Sequence, residues 1–131
     1  MRLQTAVLWF LPLSLLLTAG QAGARWVEYG DNGKATFHYD DQSIRTRGAT
    51  AIVDEMLNYG FPLRGVLSNR STKEFDCLQQ TFRYLSGEFY SERDLGGKKI
   101  SESGDEDEAW RPVVEGTQNE QLMRIACGTA S

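Results

Sequence analysis

Cys77 and Cys127 are the two cysteines of this 131-residue chain, and their wide spacing bears on what sulfur chemistry is open to it. A redox centre usually sets its thiols close together, as C-x-x-C, with a perturbed thiolate. Here the distance favours a structural bond over a redox-active pair. His38 is the single histidine. A Ser-His-Asp hydrolase needs a hydroxyl and a carboxylate arranged around such a ring, and Ser43, Asp40 and Asp41 lie near it in sequence. Nearness along the chain is no evidence of that geometry, so His38 is expected to be a partly exposed strand residue. Asp105-Glu106-Asp107-Glu108 offers oxygen ligands but not the glycine placement or ligand spacing of a calcium loop, and is expected to be a solvated acidic loop. One histidine and two distant cysteines do not make a zinc set. No catalytic residue, cofactor site or metal site is therefore assigned. Asn69-Arg70-Ser71 matches the N-glycosylation acceptor pattern, a short motif that carries no weight alone.

The remaining chemistry is recognition. Trp26, Tyr29, Phe37, Tyr39, Tyr59, Phe61, Phe82, Tyr84, Phe89 and Tyr90 are many large rings for a chain of this size. Most must build the core. Any that stay outside beside Arg45, Arg47, Arg64 or Arg83 would form the aromatic-arginine mixture of protein-binding hot spots.

What must position these groups is a single small domain. Residues 1–24 have the layout of a secretory signal peptide: Arg2, an apolar run from Ala6 to Leu17, then small residues with Ala22 and Ala24 in the positions a signal peptidase accepts. The run is short for a bilayer-spanning helix. Cleavage after Ala24 is expected, leaving residues 25–131 as one domain in the periplasm or secreted. No cysteine lies near the cut, so no lipid anchor is expected there. The formal net charge is −4, and one unit more negative without Arg2, which argues against a nucleic-acid binder. A domain so small has a modest core, and an exported one can add a disulfide.

Arg25–Tyr29 reads as a strand and Gly30–Gly33 as a turn, Asn-Gly supplying positive φ. Lys34–Asp40 alternates, with Ala35, Phe37 and Tyr39 on one side and Thr36 and His38 on the other. Trp26 is expected near the rings of this second strand. After a turn at Asp40–Ile44, with Ile44 tucked inward, Ala49–Tyr59 is the longest strand; a helix over 51–57 is the rival, disfavoured by β-branched content. Gly60–Gly65 reads as a loop. A strand then runs from about Val66 to Cys77, with Lys73, Phe75 and Cys77 in phase, and returns as Thr81–Ser91, with Gly87 marking a bulge. Asp94–Gly97 is a turn and Lys98–Ser103 an edge strand guarded by lysines. Trp110, Val113 and Val114 are expected to bring the chain back to the core.

The last element is a helix. Thr117-Gln-Asn-Glu120 fits a capping box, in which the glutamate returns to the cap amide. Leu122, Met123, Ile125 and Ala126 form an apolar stripe, and Gly128 suits a left-handed end. About ten residues of helix do not hold alone in water. A bond between the two cysteines would close a loop of about 50 residues, worth roughly 4 kcal/mol on the chain-entropy model. The fold class is α+β: an antiparallel β-sheet with a C-terminal α-helix packed on one face.

Trp26-Val27, Tyr39-Asp40 with Ser43-Ile44, Glu74-Phe-Asp-Cys77, Trp110 with Pro112-Val113, and the helix ending Ala126-Cys127 occur in the order in which they stand in the surface-adhesin protein E family, which the chain resembles over residues 25–131. The resemblance implies that Cys77 and Cys127 form a disulfide holding the helix to the sheet. It also implies a non-enzymatic exported binding protein, adhesin-like, recognising a protein partner through its sheet surface. Host matrix or bacterial envelope proteins are the partner classes, with a second copy of the chain as a further option. The better-studied type of member is a lipoprotein; this sequence lacks the lipobox cysteine. A small periplasmic enzyme or ligand carrier, with a pocket between helix and sheet, is the alternative reading.

Overall fold

The computed structural model describes residues 23–104 and 108–128. Residues 1–22, all but two of the expected leader, fall outside the described residues, as do 105–107, most of the acidic run, and 129–131. Eight strands form one antiparallel sheet: β1 (Trp26–Asp31), β2 (Ala35–Asp40), β3 (Arg45–Arg47), β4 (Thr50–Leu63), β5 (Val66–Asp76), β6 (Thr81–Tyr90), β7 (Lys99–Gly104) and β8 (Arg111–Pro112), followed by α1 (Gln118–Cys127). The spatial order is β1-β2-β4-β5-β6-β7, with β3 paired to β4 and β8 to β6.

Alternation decides which residues face α1. Ala51 and Val53 of β4, Phe75 of β5 and Phe82 of β6 share one face, and Leu122, Met123 and Ala126 of α1 close on them. Ile44 packs against the same cluster from the turn after β2. The helix starts as the sequence implies, since Thr117 Oγ1 accepts from the Glu120 amide at 3.3 Å. The reciprocal half of the capping box is replaced: Glu120 pairs with Arg124 one turn on, at 3.2 Å. Gly128 takes φ 75 and ends the helix. A Cys77–Cys127 disulfide ties this end to the turn after β5.

Several expectations change. β4 runs on through Gly60 and Pro62, because the ladder to β5 is interrupted between Asn58 and Leu63. A proline, which has no amide to donate, is tolerated in such an interruption. The hairpin then closes on Arg64 and Gly65, at φ 51 and 80. Positive φ at both central residues suits the right-handed strand twist. The irregularity in β6 falls at Leu85, not Gly87, which pairs in register with Ser71. Tyr29 is the extra residue in β1, and it turns to Phe37 and Tyr39, with ring centroids 6.1 and 6.0 Å away. Trp26 points to the other face, where the Arg70 guanidinium lies 6.0 Å from its ring. Of the returning segment, Val113 packs on the core, whereas Trp110 and Val114 are exposed.

Candidate functional site

The helix covers only part of its face of the sheet. At the far end, the β4–β5 hairpin carries Phe61 (57% exposed) and Leu63 (48%), and Ile100 (44%) of β7 shares a hollow with Leu63. Tyr59, Val66 and Phe89 complete the floor of a hollow of about 390 Å³ with Arg64 on its rim. The positive-φ turn and the ladder interruption are what carry these side chains outward. The short 3-10 turn Arg93–Leu95 braces the base of the hairpin: Asn58 Nδ2 donates to Asp94 Oδ1 at 2.7 Å, and the Asp94 amide donates to Asn58 Oδ1 at 2.8 Å. The Leu95 amide also donates to Ser68 Oγ, at 3.0 Å. Apolar surface with an aromatic and an arginine on a braced support is the composition of a binding hot spot.

Next to the N-terminus of α1 lies a second hollow, of about 410 Å³, with Phe37, Glu55, Lys73 and Tyr84 among its lining. Glu55 and Lys73 are 2% and 4% exposed. Lys73 Nζ stands 2.7 Å from Glu55 Oε1, donates to Asn119 Oδ1 at 2.7 Å, and lies 5.2 Å from the Tyr84 ring centroid. Tyr29 donates its hydroxyl to the other carboxylate oxygen of Glu55. Burial first, and then the Glu55 charge, pushes the Tyr29 phenol far above its ordinary pKa. Sequence reasoning put Lys73 in phase with Phe75 but did not find its partner. The available signal was Glu55 in phase with Ala51 and Val53 on the neighbouring strand.

This pair is a closed arrangement, each charge answered by the other and by a neutral hydrogen bond. A carboxylate held in this way is a structural group, not a poised base. The hollow nevertheless sits where the ligand-carrier alternative requires one. It is not beside His38, which lies on the opposite face of β2, in register with Glu28 and Met56.

The other sequence candidates do not converge. Asp40 accepts from the Arg25 and Gln42 amides, both at 3.0 Å, and Ser43 Oγ donates to the Asp40 carbonyl at 2.7 Å. Asp41 pairs with the Arg25 guanidinium. These bonds close the turn and leave no triad around His38. Among the described residues no cluster of three His, Cys, Asp or Glu side chains is placed to hold a metal ion. Asn69 of the glycosylation pattern lies within β5, with its amide oxygen buried. Arg83 lies 4.6 Å from the Trp110 ring centroid, on the outer face.

The model of the family described as surface-adhesin protein E matches residues 26–128. Two crystal structures of Haemophilus influenzae protein E are similar to this chain. Crystal form II shares 18% identity over 70% of this chain and 80% of that one, with a TM-score of 0.52. The selenomethionine form shares 17% over 79% and 85%, with a TM-score of 0.57. At these identities the likeness concerns the fold. No curated protein matches the chain.

Proposed function

This chain belongs to the surface-adhesin protein E family, and from that premise we propose that it is an exported, non-enzymatic binding protein which recognises a protein partner through the helix-free end of its sheet. The observation that carries the reading is the exposed pair Leu63 and Ile100 beside Arg64, with exposed Phe61 on the same hairpin. Apolar side chains held outward by a braced hairpin lower the ordering cost of docking, because the surface is already in its bound shape. A host matrix protein or a protein of the bacterial envelope is the partner class.

Residues 1–24 act as a leader that is removed after Ala24, releasing the domain 25–131 into the periplasm or beyond. In support, the Arg25 amide already donates to Asp40 Oδ1 at 3.0 Å. Cleavage there replaces that amide by an ammonium group facing a carboxylate on a residue only 6% exposed. Among the described residues, no helix is long and apolar enough to cross a membrane.

The test is binding of the purified, oxidised protein to a panel of matrix proteins and to an envelope extract, with solution mass measured in parallel to detect self-association. Saturable binding is expected. Phe61→Ser with Leu63→Ser should weaken it by roughly 30-fold or more, the loss of one or two hot-spot side chains, without lowering the melting temperature. Uniformly negative panels, or binding indifferent to that double variant, overturn the proposal.

A further inference from the structure

Between the two hollows described above lies a third, of about 310 Å³, floored by Asn69, Ser71 and Gly87, walled by Tyr84 and Phe89, and bordered by Ser103 and Glu108. Tyr84 is shared with the hollow beside α1 and Phe89 with the hollow at the hairpin end, so the three run in a row along β6. The β5 partners of the two rings, Lys73 and Asn69, are four positions apart, which sets the rings about 13 Å from each other along the strand. From this middle hollow we infer a glycan site: it takes one pyranose ring of a linear oligosaccharide whose neighbouring units continue past Tyr84 and Phe89.

The hollow exists because residue 87 has no side chain. A Cβ there would come within 3.2 Å of Ser103 Oγ and 3.6 Å of the Phe89 ring. The backbone at Gly87 is not in the left-handed region; glycine serves here to leave space.

The polar groups ask for a donor. Asn69 Oδ1 is buried and has no hydrogen-bond partner, although nearly all buried polar atoms in folded proteins have one. Ser71, 5% exposed, lies two residues along the same floor, and Ser103 adds a hydroxyl at the border. Glu108, held by Arg111 at 2.8 Å, adds acceptor oxygens. Aromatic walls with a few convergent polar groups are the make-up of a small-ligand site, and the volume is at the small end of that range.

A saccharide fits this chemistry better than a peptide. β5 is paired on both sides along the floor, and β6 is paired with β5 on one side and on the other with β8 at Thr81 and Phe82 and with β7 from Ser86 onward, so that only Arg83–Leu85 lie open on one side. A peptide laid across them would find open main chain only at that three-residue gap, too short to add a strand, since that mode needs a free edge. A pyranose presents apolar C–H faces to the rings, and its hydroxyls, spread around its rim, can exchange hydrogen bonds with the serines and, once the Asn69 amide turns its buried oxygen toward the hollow, donate to it. The site adjoins the proposed protein-binding surface through Phe89 but is distinguishable from it, because Phe61 and Leu63 do not line it.

The experiment is NMR titration of the full, oxidised, 15N-labelled protein with cellotetraose and with tetra-N-acetylchitotetraose. The expected result, with at least one of them, is saturable shifts centred on the Asn69 side-chain amide and the Gly87 and Ser103 amides. Asn69→Ala should weaken binding at least about tenfold, as loss of a buried directional contact does, and should leave the melting temperature unchanged, since the amide oxygen it removes has no partner in the free protein. Gly87→Ala should weaken binding by filling the floor. Leu78→Ser, in the exposed turn at the other end of β6, should change nothing. Flat titrations with both sugars overturn the inference, as do shifts scattered away from the hollow or an affinity indifferent to Asn69→Ala. Occupation of the hollow by an extended serine- and tyrosine-containing hexapeptide, with neither sugar bound, overturns it equally.

Discussion

Replacing Lys73 by Met should be among the most damaging single changes in this protein, and replacing its partner as well should add nothing to the damage. Lys73 and Glu55 are 4% and 2% exposed, and 2.7 Å apart. With the cation gone, Glu55 is left as a charge that water cannot reach, answered only by the Tyr29 hydroxyl. Breaking a buried pair from one side costs about 3–5 kcal/mol. That is a large part of the 5–15 kcal/mol that typically holds a domain together. Lys73→Met with Glu55→Leu removes both charges and leaves the Tyr29 and Asn119 polar groups without their partners, at about 1–3 kcal/mol each. Adding Tyr29→Phe should recover part of that. Urea unfolding followed by tryptophan fluorescence, with the disulfide kept oxidised, reads these three variants and Glu55→Leu alone. The double variant should be no less stable than Lys73→Met, which corresponds to a coupling energy of several kcal/mol. If Lys73→Met costs less than about 1 kcal/mol, or if the two single costs simply add, the pair is not the buried, mutually dependent unit described here.

Three further outcomes follow from the same structure. Cys77→Ser with Cys127→Ser, or reduction of the native protein, should cost about 4 kcal/mol for a loop of this length, and amide exchange should show protection in α1 falling before that in β4 and β5. Because Tyr29 is held protonated in the fold and an unfolded tyrosine ionises near pH 10, its share of the stability is whole below about pH 10 and is lost as the pH rises further, at about 1.4 kcal/mol per unit; Tyr29→Phe should flatten that alkaline slope, measured by urea unfolding. Thr117→Ala should cost about 1 kcal/mol through loss of the helix cap, read in the same unfolding assay.

Periodicity carried most of the fold. Ala35, Phe37 and Tyr39 in one phase, and Phe75 in phase with Lys73, give the faces of β2 and β5 directly, and the apolar stripe of α1 gives the face that closes on them. What escaped depends on register between strands. A strand pattern tells which way Glu55 points, but not that it lies diagonally across from Lys73, which sits opposite Val53. One extra residue at Tyr29 separates Trp26 from the rings it was expected to join. Pro62 and Gly60 read as a break because local propensity disfavours both in a ladder, whereas the structure places them where the ladder is already interrupted. Trp110 reads as core by its size alone, yet it rests on Arg83 on the outer face. The exposed hairpin group was anticipated as a kind of surface, rings beside arginines, but its members could not be chosen without the wide interruption after Asn58. The orphaned Asn69 oxygen leaves no trace in sequence.

The covalent clasp also imposes an order of events on the molecule's biogenesis. Its first sulfur is placed in the turn after β5 and its second on α1, behind β6, β7 and β8, so it cannot shut until all of those segments have been delivered to an oxidising compartment. While the chain is still among cytosolic reductants it lacks that lock, and the terminal helix, too short to persist unaided, has only its apolar stripe to hold it down. On the export proposed above, a newly made chain would thereby stay loose until it had passed outward, and would stiffen only afterwards.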